Sequence, residues 1–388
     1  MQRTIQTFLF LFLVLMHKPG AAQVADIDTD RVIRAAAQQL ERYLALNPDT
    51  TRYPRSLKAD GTILTVQADD WTSGFFAGNL WYLYQLTGDK KWIPSAMSFT
   101  TGLESQKTNT GTHDLGFMLY NSYGHAYQIS RNAAYKDILL AGAGSLTSRY
   151  NPRVGAIRSW DRKQWHFPVI VDNLMNLEYL FWATQASGDS LFHKTAVSHA
   201  DTDLKYRFRT DYSSWHVLEF DERSGSLMAR KTHQGLADES CWARGQAWAI
   251  YGYTVLYRYT KDLRYLRAAV NAANLFLSYT GRIPDHIPYW DFNALPGPAT
   301  PRDASAAAVA SSALFELSKY IHKEKYRDKA TALLKSLCSP VYFVAPRAKH
   351  CFLLQHSTGH KPGGTEIDVP LVYADYYFLE AIYRYKTY

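Results

Sequence analysis

Two aspartates stand directly before apolar stretches that have helical periodicity. Asp172 precedes residues 173–182, and Asp114 precedes residues 115–118. An aspartate in this position is usually a helix cap, because its carboxylate accepts a hydrogen bond from a free backbone N–H. Two carboxyl groups that lie close together can instead raise one pKa, so that one acid stays protonated near neutral pH. The two aspartates are therefore either caps or a catalytic acid pair.

Arg244 follows Trp242 by two positions and precedes Trp248 by four. A planar guanidinium beside an indole is suited to holding a carboxylate over the face of a sugar ring. The alternative for Arg244 is a structural ion pair. Trp71 also stands just before a predicted helix. These residues predict a site for an anionic sugar.

Other polar residues near predicted helix starts have both a functional and a structural interpretation. His113 adjoins the first acid and is either a substrate-binding residue or a surface-loop residue. His216 and Gln234 lie in a long segment, where they either line a pocket or fold the loop. We interpret Asp303 and Asp368 mainly as helix caps.

The sequence contains no persuasive metal signature. Its histidines are scattered, and His356 and His360 lie in a glycine-rich segment. There is also no phosphate-binding loop, no Gly-x-Ser-x-Gly elbow and no dinucleotide fingerprint. We therefore expect a site that uses neither a metal nor a cofactor.

Twelve stretches with helical periodicity cover most of the chain, and convincing strand alternation is scarce. Their predicted bounds are residues 29–45, 72–87, 90–106, 115–130, 133–148, 171–186, 190–208, 241–259, 263–279, 303–322, 324–337 and 372–388. Four short junctions share one form: each ends a helix, supplies Asp or Asn as the next cap and places an aromatic residue three positions later. These junctions are residues 87–92, 130–135, 187–192 and 260–265. They predict tight helix hairpins.

The connections between the predicted helices alternate in length. Turns inside the hairpins are short, whereas the segments before most even-numbered helices run to roughly 20 to 35 residues, well above the usual connection length. If the even-numbered helices form an inner ring, the long segments and the inner-helix N-termini gather at one rim. The pattern predicts an all-α (α/α)6 toroid of six helical hairpins in an inner and an outer ring. An open helical-repeat superhelix is the alternative, but the capping repeats that it needs are not evident.

Composition narrows the class of partner. The chain of 388 residues has a formal charge of +8, but its Lys and Arg residues are scattered. This distribution disfavours nucleic-acid binding and is compatible with attraction of a small anionic substrate. Aromatic residues make up 14% of the chain, which suits a large helical core first and sugar stacking second. The three cysteines argue against a disulfide scaffold.

Residues 1–22 have the form of a secretory signal peptide. Arg3 supplies the positive start, residues 8–16 are apolar, and residues 20–22 are small. The apolar run is too short to anchor the protein in a bilayer. We expect residues 23–388 to form a single catalytic domain in a bacterial periplasm, without membrane attachment.

Several segments, in chain order, carry a family resemblance, including His113-Asp114-Leu115-Gly116, Asp172-Asn173-Leu174-Met175 and His233-Gln234-Gly235. The others are residues 71–78, 240–251, 285–292, 301–308, 359–362 and 369–380. In these segments the sequence resembles the unsaturated glucuronyl hydrolases of glycoside hydrolase family 88. The resemblance implies an (α/α)6 toroid that removes a 4,5-unsaturated glucuronic acid from the non-reducing end of lyase-generated glycosaminoglycan oligosaccharides.

The resemblance also assigns roles to residues. It implies that Asp172 is the general acid and base and that Asp114 is its essential partner. Residues that would shape the sugar subsite are Trp71, Trp160, His216, Gln234, Arg244 and Trp248. In the last loop, Ser357, Thr358 and Lys361 would contact the next sugar.

Two other functions remain as alternatives. An unsaturated rhamnogalacturonyl hydrolase would share the toroid and the hydration chemistry but would act on pectin fragments. A non-catalytic periplasmic sugar-binding toroid would bind oligosaccharides and leave their double bond intact. The presence of both acids and of the Arg and Trp residues favours the enzyme.

Overall fold

The computed structural model describes residues 27–344 and 348–388, so the signal-peptide prediction for residues 1–22 lies outside the described residues. Twelve α-helices occur within these two ranges, which confirms the predicted all-α class. They are α1 (Thr29–Leu44), α2 (Ser73–Thr87), α3 (Trp92–Thr101), α4 (His125–Ser130), α5 (Ala133–Thr147), α6 (Asn173–Ser187), α7 (Ser190–Tyr206), α8 (Ala243–Thr260), α9 (Leu263–Thr280), α10 (Ala304–Leu317), α11 (Lys323–Leu337) and α12 (Val372–Thr387).

The even-numbered helices form a closed inner ring. A π-helical segment, Gly116–Gly124, runs directly into α4 and completes the second member of this ring. Each member packs against the next, from α2 through α4, α6, α8 and α10 to α12, and α12 packs against α2. The odd-numbered helices α3 to α11 each pack outside the inner helix that precedes them. This closure confirms the (α/α)6 toroid and excludes the open superhelix.

Burial separates the two rings. Every residue of α10 is buried, because this helix is enclosed by its two ring neighbours and by α11. The outer helix α1 instead buries one face that includes Val32, Ala36 and Leu40 and exposes the other. An apolar circumference is typical of an enclosed helix, and an apolar stripe is typical of a surface helix.

The hairpin turns have the predicted chemistry. Asn132, Asp189 and Asp262 each accept a hydrogen bond from the backbone N–H two residues later, at 2.8 to 3.0 Å. The helix before Asp189 ends at Gly188, whose φ of 80° lies in the left-handed region that favours glycine. These turns keep successive helices antiparallel, so all the inner helices start at the same rim.

The long segments contain seven short strands that the sequence pattern does not reveal. They are β1 (Tyr53–Leu57), β2 (Ile63–Val66), β3 (Tyr150–Asn151), β4 (Ala156–Ile157), β5 (Phe167–Ile170), β6 (Val217–Phe220) and β7 (Leu227–Lys231). Strands β5, β6 and β7 form one antiparallel sheet in which Ile170 lies opposite Val217. The register brings the residues just outside this pair, Val171 and His216, into hydrogen-bond contact at 3.0 Å.

Two predicted helices differ from the structure. The helix expected over residues 90–106 ends at Thr101, because Gly102 closes it and a 3₁₀ helix, Glu104–Thr108, follows. The helix expected over residues 115–130 starts with the π-helical segment. Within the described ranges, no helix combines the length and the apolar character that crossing a membrane requires.

Candidate active site

A cavity of about 150 Å³ lies at the N-terminal ends of the inner helices, where the loop pattern predicts the site. Seven predicted residues line it: Trp71, His113, Asp114, Trp160, Asp172, Gln234 and Arg244. They come from six separate segments of the chain, so the toroid is what brings them together.

Asp172 occupies the N-cap position of α6, but its side chain makes no capping hydrogen bond. The carboxyl group is buried, and Oδ2 has no hydrogen-bond partner in the described structure. Its place is fixed by the main chain, because β5 ends at Ile170 and Val171 N–H donates to the carbonyl of His216. Asp172 is therefore not a helix cap, and its carboxyl oxygen is left for another partner.

Asp114 lies in the same cavity, just before the π-helical segment. One carboxylate oxygen accepts a hydrogen bond from the Thr112 hydroxyl at 3.2 Å, and Oδ1 lies 3.1 Å from Nε2 of His113. No side-chain cap is formed at the start of the π-helical segment either. Both acids thus stand at helix starts without capping them.

A close helix contact fixes the segment of Asp114 relative to that of Asp172. The backbone N–H of Phe117 donates to Oδ1 of Asn176 at 3.0 Å, and Asn176 lies one turn after Asp172 on α6. Gly116 permits the approach, since a Cβ at this position would lie 2.6 Å from the same Oδ1 atom. The sequence therefore places a glycine where the two inner helices that carry the acids meet.

Burial raises the pKa of both carboxyl groups to about 7. For Asp172 the next cause is the charge of Asp114, while the charge of Arg244 acts in the opposite direction. For Asp114 the hydrogen bond from Thr112 opposes the effect of burial. Two interacting acids of this kind retain one proton between them near neutral pH. The pair can therefore supply a general acid at a pH where exposed aspartates are ionised.

His113 is buried, so the surface-loop alternative is wrong. Its Nδ1 donates to the carbonyl of Ser159 at 2.9 Å, and burial lowers its pKa to about 3. The ring is therefore neutral, with an unprotonated Nε2 next to Asp114. This lone pair disfavours the ionised form of Asp114, in opposition to the Thr112 hydroxyl.

His216 supports the other acid. Its Nδ1 accepts hydrogen bonds from the backbone N–H groups of His233 and Gln234 at 3.1 and 3.2 Å, so its proton resides on Nε2. Nε2 lies 3.8 Å from Oδ2 of Asp172, and burial lowers the His216 pKa well below its ordinary value. Gln234 lines the cavity and donates to the carbonyl of Gly359 at 3.0 Å. His216 thus holds the Gln234 segment and lies beside Asp172.

Arg244 is bound to the protein itself. Its terminal nitrogens donate to Asp303 at 2.8 Å and to the carbonyls of Thr358 and Gly359 at 2.7 Å each. Asp303 also caps α10 as predicted, by accepting from Ser305 N–H. Arg244 therefore forms the structural ion pair, but these contacts leave its Nε–H and one N–H of Nη2 unused, so its role as a carboxylate clamp stays a prediction. Its charge is compensated before any ligand arrives.

The three predicted tryptophans have different positions. Trp71 and Trp160 line the cavity. Trp248 does not, because its ring is fully buried against Phe117 and Tyr377, at centroid distances of 5.7 and 5.2 Å. Trp248 therefore supports the packing of the inner ring, and its part in shaping the sugar subsite stays a prediction.

The last loop also differs from expectation. Ser357 and Thr358 are buried, and the Thr358 hydroxyl donates to a main-chain carbonyl at 2.8 Å. Lys361 lies outside the cavity lining, with Nζ 5.9 Å from the ring centroid of Trp290. The cause is an antiparallel pairing of Ser357 with Val369, which fixes the course of the loop. None of these three residues lines this cavity, and their contact with the next sugar stays a prediction.

Asp368 is not a helix cap. Helix α12 starts at Val372, and Asp368 is exposed and pairs with His356 at 2.7 Å. Within the described residues, no group of three or more His, Cys, Asp or Glu side chains could hold a metal ion.

Sequence reasoning missed several residues that line the cavity, among them Arg55, Arg162, Glu366 and Tyr373. Arg55 comes from β1, and Arg162 from the loop before β5. Neither segment is a helix start, which was the signal that located the other residues. The antiparallel pairing of the long segments, which periodicity does not show, brings them to the rim.

A second cavity, of about 210 Å³, is lined by residues of the inner helices. Its charged lining is internally paired, because Arg258 binds Glu178 at 2.6 Å and Arg384 binds Glu380 at 3.2 Å. Acids that are compensated in this way are poor proton donors. The cavity of about 150 Å³, which contains the two aspartates whose pKa is raised, is therefore the candidate active site.

Comparison with known proteins agrees with this geometry, although no protein-family model matches the chain. The unsaturated glucuronyl hydrolase of Formosa agariphila is 48% identical over 336 residues, which cover 86% of this chain and 84% of the relative. The crystal structure of an unsaturated glucuronyl hydrolase specific for heparin superposes with a TM-score of 0.90 at 46% identity, covering 92% of this chain and 96% of the other.

A further solved structure is an unsaturated glucuronyl hydrolase mutant from Streptococcus agalactiae complexed with dGlcA-GalNAc6S. Its TM-score is 0.79 at 29% identity, and the match covers 92% of each chain. High identity over most of both chains, the shared toroid and the buried acid pair lead to the same assignment. The chain is a glycoside hydrolase and belongs to the unsaturated glucuronyl hydrolases of family 88.

Proposed function

We propose that this enzyme removes 4,5-unsaturated glucuronic acid from the non-reducing end of glycosaminoglycan oligosaccharides that a lyase has produced. The observation that carries the proposal is Asp172, whose buried carboxyl oxygen has no protein partner and whose pKa is raised to about 7. Protonation of carbon is the difficult step in the hydration of a vinyl ether, so the reaction needs a general acid that is still protonated near neutral pH.

The reaction starts with transfer of a proton from Asp172 to C4 of the C4=C5 double bond. Positive charge is then shared between C5 and the ring oxygen, and the charge of Asp114 stabilises it. The Asp172 carboxylate next accepts a proton from water as the water oxygen bonds to C5. The resulting hemiketal opens, the hemiacetal left at C1 collapses to an aldehyde, and the aglycone leaves as an alcohol.

The cavity walls suit a uronate ring. Trp71 and Trp160 present aromatic surface, and Gln234 supplies an amide beside the acids. The carboxyl separation that distinguishes retaining from inverting glycosidases does not apply, because attack is at C5 rather than at the anomeric carbon.

We propose heparin-derived disaccharides as the substrates of this enzyme, since the 46% identical relative is specific for heparin. The complex of the 29% identical mutant with dGlcA-GalNAc6S supports an unsaturated uronate at the non-reducing end. No observation favours a pectin fragment as the substrate.

The function is tested by incubating the purified enzyme with unsaturated heparin and chondroitin disaccharides and following the ultraviolet absorbance of the double bond. Absorbance should fall, and in heavy water NMR should show deuterium at C4 of the product. Binding without loss of absorbance would establish the non-catalytic alternative instead. Absence of deuterium at C4 would exclude hydration by this route.

We further propose export to the periplasm. The basis is the form of residues 1–22, with Arg3 before an apolar run and small residues at its end. Cell fractionation, with mass spectrometry of the mature N-terminus, tests this. A product that retains residues 1–22 in the cytoplasm would contradict it.

A further inference from the structure

The charged residues that line the active-site cavity are almost all compensated. Arg55 pairs with Glu366 at 2.6 Å and with Asp70 at 2.7 Å, and Arg244 pairs with Asp303 at 2.8 Å. The acids Asp114 and Asp172 retain a proton between them, as described above. Among the guanidinium groups that line the cavity, that of Arg162 has no carboxylate among the described residues to compensate its charge.

Arg162 has no carboxylate within ion-pair distance in the structure of residues 27–344 and 348–388. Its guanidinium lies 4.9 Å from the ring centroid of Trp160, and Nη1 lies 3.1 Å from Nε2 of His233. Burial lowers the pKa of His233 to about 4, so this imidazole is neutral and accepts an N–H of Arg162. The contact orients the guanidinium and leaves its charge uncompensated.

The loop that carries Arg162 is fastened to the rest of the molecule. The neighbouring residue Asp161 binds Arg149 at 2.8 Å and Arg158 at 3.2 Å. Trp160 in turn lies 5.9 Å from Trp165, whose backbone N–H donates to the carbonyl of Arg162 at 3.0 Å. A cation held in this way against an aromatic ring loses little conformational freedom on binding a ligand.

We propose that Arg162 binds an anionic substituent of the unsaturated uronate, either its carboxylate or a sulfate ester on the same ring. The inference rests on the proposed function and adds a specificity-determining residue to it. A guanidinium is suited to both groups, because its parallel N–H donors match two oxygens of a carboxylate or a sulfate. Arg244 has fewer donors to offer, since four acceptors of the protein already engage its Nη1 and one N–H of its Nη2.

The test compares Arg162→Gln with the native enzyme on two unsaturated heparin disaccharides, one with and one without a 2-O-sulfate on the uronate. Loss of a hydrogen-bonded charge pair should lower kcat/KM by about 10- to 100-fold, mainly through KM. Arg162→Lys keeps the charge without the paired donors and should recover part of the loss. Lys163→Gln is the matched control, because it removes the same charge from the adjacent exposed position.

An equal loss on both disaccharides identifies the carboxylate as the bound group, and a loss confined to the sulfated one identifies the sulfate ester. If Arg162→Gln behaves like Lys163→Gln on both, the inference is overturned. A native enzyme without activity on either disaccharide would instead overturn the proposed function, so the two failures are distinguishable. A loss in kcat with an unchanged KM would reduce Arg162 to a structural role and also contradict the inference.

Discussion

A buried carboxyl group at a helix N-terminus experiences two opposing effects. The helix dipole favours the ionised form, whereas transfer out of water favours the neutral form. At Asp172 the effect of the helix dipole is weak, because the carboxyl group takes no hydrogen bond from the free N–H groups of α6. Burial and the charge of Asp114 therefore dominate, and the pKa is raised to about 7.

Asp172→Asn should abolish most of the activity and leave the fold intact. The amide has the same shape but cannot deliver a proton, and general acid catalysis contributes about 10²- to 10⁴-fold. Stability should not fall, since no capping hydrogen bond is lost. The ultraviolet assay and a thermal melt measure the two properties. Asp262→Asn, at a partly exposed cap remote from the cavity, is the control and should keep full activity.

The shared proton predicts the direction of the pH dependence. An acid is protonated below its pKa, so kcat/KM should decline as the pH rises through about 7. Asp114→Asn removes the charge that is the second cause of the raised Asp172 pKa. The residual activity of this variant should therefore decline at a lower pH than that of the native enzyme. A pH profile with an unmoved alkaline limb would show that Asp114 does not act on Asp172 electrostatically.

Residue types and spacing located the acid pair but not the partners of each side chain. Arg244 and Trp248 are one helical turn apart on α8, and both have the composition of a sugar site. Their actual roles depend on Asp303 and on Phe117, which come from distant parts of the chain. Arg162 could not be predicted from the sequence, because it stands out only through the absence, in the described part of the chain, of a carboxylate partner for its guanidinium, and the sequence does not show which side chains pair.

At the scale of elements, the site depends on how closely two inner helices approach. Gly116→Ala would place a Cβ 2.6 Å from Oδ1 and 3.0 Å from Cα of Asn176, and the second of these atoms is backbone. The helices must then separate, at a cost of roughly 1–3 kcal/mol. The same separation moves Asp114 away from Asp172, so activity should fall more than stability explains.

The matched control for this prediction is Gly144→Ala on the exposed face of α5. No atom lies within 4 Å of a Cβ at this position, so the change should be neutral or stabilising by up to about 1 kcal/mol. Urea denaturation and the ultraviolet assay on both variants give the comparison. Equal effects of the two substitutions would show that the contact between Gly116 and Asn176 does not determine the position of Asp114 relative to Asp172.

Helix hairpins were predictable because their signals are local. Asn132, Asp189 and Asp262 cap the helices that they immediately precede, and the aromatic residues that follow pack against the core, the one after Asn132 only partly buried. The strands were not predictable, because β5 and β6 are four residues each and are separated by the whole of α6 and α7. Their pairing is a tertiary contact, and it is this contact that puts His216 beside Asp172.

At the scale of the whole molecule, closure of the toroid removes many ionisable groups from water. Among the groups that titrate near or below neutral pH, histidines are the most affected, because burial lowers the pKa of seven of them: His113, His125, His199, His216, His233, His350 and His360. Three buried aspartates have a raised pKa instead, namely Asp114, Asp172 and Asp375. The two sets have opposite effects on stability as the pH changes.

The sign of the net effect follows from where protons bind. As the pH falls below 6.5, the unfolded chain protonates its histidines, whereas His125 in the folded protein does so only near pH 4. Acidification therefore favours the unfolded chain through the histidines. The three aspartates whose pKa is raised bind protons at a higher pH in the folded protein than in the unfolded chain, so through them acidification favours the folded state. Seven histidines outnumber three aspartates, and the free energy of unfolding should decrease from about pH 6.5 towards pH 4.

Each excess proton contributes a slope of about 1.4 kcal/mol per pH unit. Urea denaturation at a series of pH values measures this slope, and His125→Gln should reduce it by about one proton. His125 is a suitable position because it lines the second cavity, where Gln85 and Tyr376 contact its two ring nitrogens and no catalytic group is touched. A glutamine keeps polar atoms for these partners without a group that titrates. A free energy of unfolding that rises on acidification would mean that the raised aspartates outweigh the histidines.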